Sequence, residues 1–390
     1  MIPYSRQEIT EDDILEVEKV LRSDLLTQGP VVPKFEKAVS NYCGASYSIA
    51  MNSATSALHI ACLALDLGPG DWLWTSPNTF VASANCGLYC GAKVDFVDID
   101  ENTFNMSIDS LSNKLKLAEK FGKLPKVLVP VHYAGQPCDM QSIYDLSLRY
   151  GFKIVEDASH AIGSSFDKTK VGSCVHSDIT VFSFHPVKII TTGEGGMALT
   201  NNVELADKIR CLSTHGITKD KSKMQLRSKN EIWNYQQIKL GFNYRMNDIQ
   251  AALGLSQMNR LDEYVSSRQE IAEIYSSKFD KTEIIIQKQI KNTRSSFHLY
   301  PILIKENRTK KNQRQIYKKL INNGIMANLH YIPVHRHPYY ESFGFKKGDF
   351  PNSEQFHKEA ISLPVFPKLK IEECENTVQL ILEAINDNGS

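Results

Sequence analysis

Val-Phe-Ser-Phe-His-Pro-Val-Lys-Ile-Ile-Thr-Thr-Gly-Glu-Gly-Gly, residues 181 to 196, starts as an apolar strand and ends as a glycine-rich turn. Between the two it delivers a single amine, Lys188. Upstream, Lys-Ile-Val-Glu-Asp-Ala-Ser-His (153 to 160) repeats the design with a carboxylate, Asp157, closing the apolar run. Working outward, strand-like segments stand near 72–76, 93–97, 127–132, 153–156, 178–184 and 196–200, with helical segments in most of the gaps. Apolar strands alternating with helices predict a mainly parallel sheet sandwiched by helices, an α/β fold.

The flanks extend this reading. Residues 10 to 23 read as a helix capped by Thr10, with Ile14, Val17, Val20 and Leu21 on one face. A short helix should carry Phe35, Val39 and Tyr42. Another, through Leu58, Ala61, Cys62 and Leu65, should stop at the turn Leu-Gly-Pro-Gly-Asp, 67 to 71. A long helical stretch from about 247 to 279 reads as a connector. Strands near 283–287, 298–304 and 325–330, a helix at 312–322 and a last helix from about 371 then suggest a smaller α+β domain. The expected division is a large domain over 1–246, a connecting helix over 247–279 and a small domain over 280–390.

Composition narrows the function classes. The 390 residues are 42% hydrophobic and 23% charged, with a formal net charge of +1. That balance gives no reason to expect a nucleic-acid or membrane partner. The basic run from Lys305 to Lys319 reads as a solvated loop and helix face. The eight cysteines are scattered without a C-x-x-C pair, which predicts reduced thiols and neither a disulfide framework nor a metal site. No signal peptide or membrane-length apolar run is visible, so a cytoplasmic protein is expected.

Ligands of open α/β sheets gather at the carboxyl ends of the strands. Asp157 follows Ile154 and Val155 there. Ser183, His185 and Lys188 follow the strand through Phe182, and Asn78, Thr79 and Phe80 follow Trp74. An amine and a carboxylate on adjacent strand ends suit pyridoxal phosphate (PLP). The amine holds the cofactor as a Schiff base, and the carboxylate keeps its ring nitrogen protonated. A lone lysine at a strand end is ordinarily a surface residue, and Asp157 could simply cap a helix. The Ser-x-His-x-x-Lys context with Gly-Glu-Gly-Gly behind it favours the functional reading. Asn-Ser-Ala-Thr-Ser-Ala-Leu (52 to 58) opens a helix with small residues, so Ala54 and Thr55, joined by Ser183, could hold the cofactor phosphate. Phe80 could lie against the ring or pack in a core, and His160 could stack near the ring or simply pack.

Together these motifs resemble the DegT/StrS family of PLP-dependent sugar aminotransferases. The resemblance runs from Leu-Thr-Gln-Gly (26 to 29) through both strand-end blocks and Gly-Phe-Asn-Tyr-Arg-Met-Asn (241 to 247) to His-Tyr-Ile-Pro (330 to 333). It implies the aspartate-aminotransferase-like fold (fold type I), whose large domain has a seven-stranded sheet. It also implies a homodimer with shared active sites, in which Asn243 reaches the partner's cofactor phosphate. The family's dehydratase branch has histidine at the position of Lys188, so the lysine favours amino transfer. A non-catalytic regulatory protein of the same fold is the rival from another class.

Within the family, the opening Tyr4-Ser5, Ser-Thr-His-Gly (213 to 216) and His-Leu-Tyr-Pro-Ile-Leu (298 to 303) are most similar to the pseudaminic acid branch. The implied substrates are L-glutamate and a UDP-linked 4-keto sugar, with Tyr4, His185, His330 and Tyr331 as sugar contacts. Bacillosamine-type and aminoarabinose-type aminotransferases carry related blocks and stand as alternatives. One departure is Gly193, where relatives often carry a bulkier residue.

Overall fold

Seven short segments pair into one sheet in the computed structural model, which describes residues 1–225, 234–309 and 311–386. They are β1 (Tyr47–Met51), β2 (Trp72–Thr75), β3 (Lys93–Phe96), β4 (Val127–Val129), β5 (Lys153–Asp157), β6 (Ile179–Ser183) and β7 (Gly196–Thr200). The order is β1-β7-β6-β5-β4-β2-β3, and only β7 runs against its neighbours. Six strands coincide with segments legible in the sequence. The seventh, β1, hides its nature because it buries a serine. Ser48 gives its hydroxyl to the Glu36 carbonyl at 2.6 Å, and the Ala50 amide donates to the Glu36 carboxylate at 2.9 Å.

The helices that matter for the site are α1 (Glu11–Leu21), α2 (Val31–Cys43), α3 (Ala54–Ala64), α4 (Ala82–Tyr89), α5 (Asp248–Met258) and α6 (Leu261–Phe279). One core joins α3 and α4 to the sheet through Leu58, Ile60, Leu73 and Val181. The opposite face packs Phe35, Phe182, Phe184 and Val265. Burying each such side chain contributes about 1.5–3 kcal/mol relative to exposure.

Two helical expectations need correction. On α1, Thr10 occupies the N-cap position, where its amide rather than its hydroxyl makes the contact, donating to Asp13 Oδ2 at 3.0 Å, but Ile14 and Leu21 are exposed. Asp13 and Val20 are the buried residues. Asp13 is taken inside because Ser256, Gln257 and Arg260 all donate to it, Arg260 Nη2 at 2.6 Å. The stretch 247–279 is two helices rather than one. Between α5 and α6, Arg260 leaves helical geometry (φ −114°, ψ 7°), and its guanidinium meets both Asp13 and, at 2.9 Å, Tyr264. Asn247 caps α5 in a reciprocal box with Gln250.

Asp248, at the start of α5, explains the Leu-Thr-Gln-Gly block. Its carboxylate accepts from the amides of Gly29, Val31 and Val32 at 2.8, 2.7 and 3.2 Å, anchoring the start of α2. A Cβ at Gly29 would stand 3.1 Å from that carboxylate.

A second core gathers Tyr275, Ile302, Ile316, Ile361 and Ile381. Ile285–Ile286, Tyr300–Leu303 and Ala360–Leu363 form a three-stranded sheet there, the last of them unforeseen, beside helices Gln313–Asn322 and Ile371–Asn386. The strand expected over 325–330 shortens to Ile325–Met326, which pairs in parallel with Ile2–Pro3. That pairing lays the chain start across the molecule. The Tyr4 carbonyl accepts from the Val365 amide at 3.0 Å, and Ser5 Oγ donates to the Val187 carbonyl at 2.9 Å. Lys310, in the basic run, lies outside the described residues. Among the described residues no helix is long and apolar enough to cross a membrane.

Candidate active site

The carboxyl ends of β1, β2, β5 and β6 open on a cavity of about 400 Å³. Lys188, Asp157, Ala54, Thr55, Phe80, His160, Ser183, Tyr4, His185, His330 and Tyr331 all line it. Asn243 does not. It lies exposed on the loop before α5, its backbone bridged to Thr214.

The lysine loop is pinned on both sides of Lys188. The Lys188 amide donates to the His185 carbonyl at 2.9 Å, while Ile189 and Ile190 are buried. Thr191 Oγ1 and the Thr192 amide both donate to the Phe184 carbonyl, at 2.9 and 3.0 Å. Gly193 then turns the chain with φ +79° in open space, a conformation that disfavours any side chain.

Lys188 is partly accessible through the cavity but enclosed by protein beyond it. Burial lowers its amine to about 8, against an opposing pull from Asp157. A neutral amine is the form that attacks a carbonyl.

Asp157 is a buried carboxylate at the last position of β5. Its Oδ2 accepts from Ser83 Oγ at 2.6 Å and its Oδ1 from the Ser159 amide at 3.1 Å. It caps no helix, which removes the competing reading. Ser83 was missed in the sequence. The available signal was its place one helical turn after Thr79, whose hydroxyl it meets at 2.7 Å.

Ser53 caps α3 by accepting from the Ser56 amide at 3.1 Å. The first-turn amides of Ala54 and Thr55 have no acceptor within the helix and lie at its positive end. Gly196 pairs with both Ser183 and Met51. A Cβ there would fall 2.4 Å from the Ala54 nitrogen, so only glycine lets β7 pass beneath this turn.

Phe80 is 58% exposed, so it is no core residue. Its ring centroid lies 6.4 Å from that of Tyr331. His160 is buried and near-parallel to Tyr331 (23°), with its Nε2 3.2 Å from the Tyr331 hydroxyl. Burial, Lys188 and His330 hold His160 well below its ordinary value. His330 is lowered to about 3 by burial and Lys188, and its Nδ1 lies 3.0 Å from Ser362 Oγ. Tyr4 packs against it at 5.1 Å between rings. His185 is exposed at the rim.

These residues fit PLP. A glycine-cleared cradle with free helix amides suits its phosphate, and an amine that burial makes easier to deprotonate suits its aldehyde. A fixed carboxylate on the neighbouring strand suits its ring nitrogen.

The DegT/DnrJ/EryC1/StrS aminotransferase family model matches residues 7–382. The chain is 38% identical to the spore coat polysaccharide biosynthesis protein SpsC of Bacillus subtilis, over 98% of this chain and 97% of that one. It is 36% identical to the UDP-4-amino-4,6-dideoxy-N-acetyl-beta-L-altrosamine transaminase of Campylobacter jejuni, over 99% and 98%. Among solved structures it resembles Helicobacter pylori PseC, an aminotransferase involved in the biosynthesis of pseudoaminic acid, with a TM-score of 0.88, 30% identity, and 98% and 99% of the chains covered. Other matched structures include PLP and pyridoxamine phosphate forms. The chain therefore belongs to the DegT/DnrJ/EryC1/StrS aminotransferase family, as a PLP-dependent nucleotide-sugar aminotransferase.

Proposed function

We propose that this enzyme moves the amino group of L-glutamate to the 4-keto carbon of a UDP-linked 4-keto-6-deoxy-N-acetylhexosamine. The product is UDP-4-amino-4,6-dideoxy-N-acetyl-β-L-altrosamine, a step of pseudaminic acid biosynthesis, made by a cytoplasmic homodimer. The observation that best supports amino transfer is a desolvated Lys188 amine sharing one cavity with Asp157 at the sheet's carboxyl edge. The likeness to the Campylobacter jejuni transaminase supports the choice of sugar.

When bound, the cofactor supplies an electron sink for the carbon that loses or gains a proton. In our reading Lys188 would hold the cofactor through its amine and, once freed by the substrate amine, would move a proton at the substrate carbon. The loop bonds around Phe184 hold that amine at a fixed height in the cavity. Asp157 would pair with the ring nitrogen and keep it protonated. Ala54, Thr55 and Ser183 bind the phosphate, with Asn243 of the partner subunit completing it. Phe80 and His160 would lie beside the ring, while Tyr4, His185, His330 and Tyr331 would contact the sugar.

The test is to offer each UDP-4-keto sugar with glutamate and determine product stereochemistry by NMR. The altrosamine product at the highest kcat/KM is expected. Preferential amination of a bacillosamine-type or aminoarabinose-type precursor would contradict the substrate assignment.

A further inference from the structure

Ala134 holds a left-handed backbone (φ 62°) without being glycine. That conformation costs a non-glycine residue about 1–2 kcal/mol, so its surroundings must impose it. Here they do. The Tyr133 amide donates to Asn105 Oδ1 at 3.0 Å, and Ser164 Oγ donates to the Gly135 carbonyl at 2.7 Å. Gly135 is itself left-handed (φ 96°), and a Cβ on it would stand 2.7 Å from Ser296 Oγ.

The turn aims the Ala134 amide at His160 Nδ1, 3.3 Å away. An amide can only donate, so Nδ1 accepts, and the single proton of a neutral imidazole sits on Nε2. His160 is kept neutral by burial, Lys188 and His330. Nε2 therefore donates to the Tyr331 hydroxyl at 3.2 Å, and that oxygen is the acceptor. The hydroxyl's own hydrogen has no other acceptor within hydrogen-bonding distance among the described residues, and Tyr331 lines the cavity. Burial, Tyr4 and Asp157 push its phenol above the ordinary value, so the hydrogen stays on.

We propose that the Ala134 amide is a tautomer lock, which through His160 makes the Tyr331 hydroxyl a dedicated hydrogen-bond donor to a substrate oxygen. Ala134 and His160 are positioning groups, and Tyr331 is the contact. The inference deepens the aminotransferase reading and rests on it. Its ligand is a carbonyl or carboxylate oxygen, which the keto sugar and glutamate both carry.

The test has two readouts. Nitrogen NMR of histidine-labelled protein, with and without PLP, should show His160 with a bare Nδ1 and a protonated Nε2. A Tyr331→Phe variant assigns the shift that depends on the phenol. Single-turnover absorbance should show this variant slowed about tenfold or more in one half-reaction, the size expected for one lost hydrogen bond to a polar or charged oxygen. A slowed sugar half-reaction assigns the acceptor to the sugar, and a slowed glutamate half-reaction to glutamate. A protonated Nδ1, or both half-reactions within twofold of wild type, overturns the proposal. Failure of the aminotransferase reading looks different: the wild-type protein itself then exchanges no amino group with glutamate, and the proposal falls with it.

Discussion

Ser83 Oγ donates to Asp157 Oδ2 at 2.6 Å, with both side chains buried. Ser83 lies on α4 and Asp157 at the end of β5, so the bond ties a helix to the carboxylate we propose for the cofactor ring. A hydrogen bond to a charged acceptor contributes about 1.5–3 kcal/mol. Ser83→Ala should therefore lower kcat/KM by about tenfold or more, with circular dichroism unchanged. Wild-type kinetics in the variant would remove this positioning role.

The depressed Lys188 amine makes a signed pH prediction. Its folded value of about 8 lies below the ordinary 10.5. Below about pH 8 cofactor-free protein bears the full cost of a buried charge. Between these values the folded chain gives up its proton first, so this site adds stability as pH rises. Lys188→Met protein should lack that rise in denaturant titrations. The rate at which cofactor-free enzyme captures PLP should climb with pH and level off above about 8, as followed by stopped-flow absorbance.

Gly196→Ala probes the phosphate cradle. The added methyl would press on the Ala54 nitrogen from 2.4 Å, where backbone rather than a flexible side chain must give way. Overpacking of this kind costs about 1–3 kcal/mol. The expected signature is weakened PLP binding by equilibrium dialysis, exceeding the loss in unfolding free energy. A variant that binds PLP as wild type does would contradict the cradle.

Glu156 is a buried carboxylate in the sheet, immediately before Asp157. Burial would raise its carboxyl, but His132, Ser177 and Thr180 outweigh that and hold it below 4.5. The Cys138 amide donates to His132 Nδ1 at 3.0 Å, which leaves Nε2–H to donate to Glu156 at 2.7 Å. The stabilisation is complete above about pH 4.5 and is lost as pH falls through the lower folded value. Glu156→Gln should cost about 1–3 kcal/mol at neutral pH and flatten the acid arm of the stability curve.

Much of this was legible in the sequence because the site is built at strand ends. Apolar runs announce the strands, and residues soon after Val155, Phe182 and Trp74, among them Asp157, Ser183 and Phe80, line the cavity. What escaped was decided by tertiary partners. Ser48 reads as polar until Glu36 accepts its proton, so β1 was invisible. Asp13 reads as solvent-facing until Arg260, at the break between the two connector helices, donates to it. The direction of the Tyr331 hydrogen bond depends on the φ of Ala134, which no side-chain pattern encodes.

In the proposed mechanism, Lys188 carries the cofactor. Borohydride reduction of the yellow holoenzyme, followed by peptide mass spectrometry, tests it most directly. A reduced pyridoxyl group is expected on the peptide containing Lys188, with Lys188→Ala protein unlabelled and inactive. A label on another lysine, or full turnover by Lys188→Ala, would contradict it.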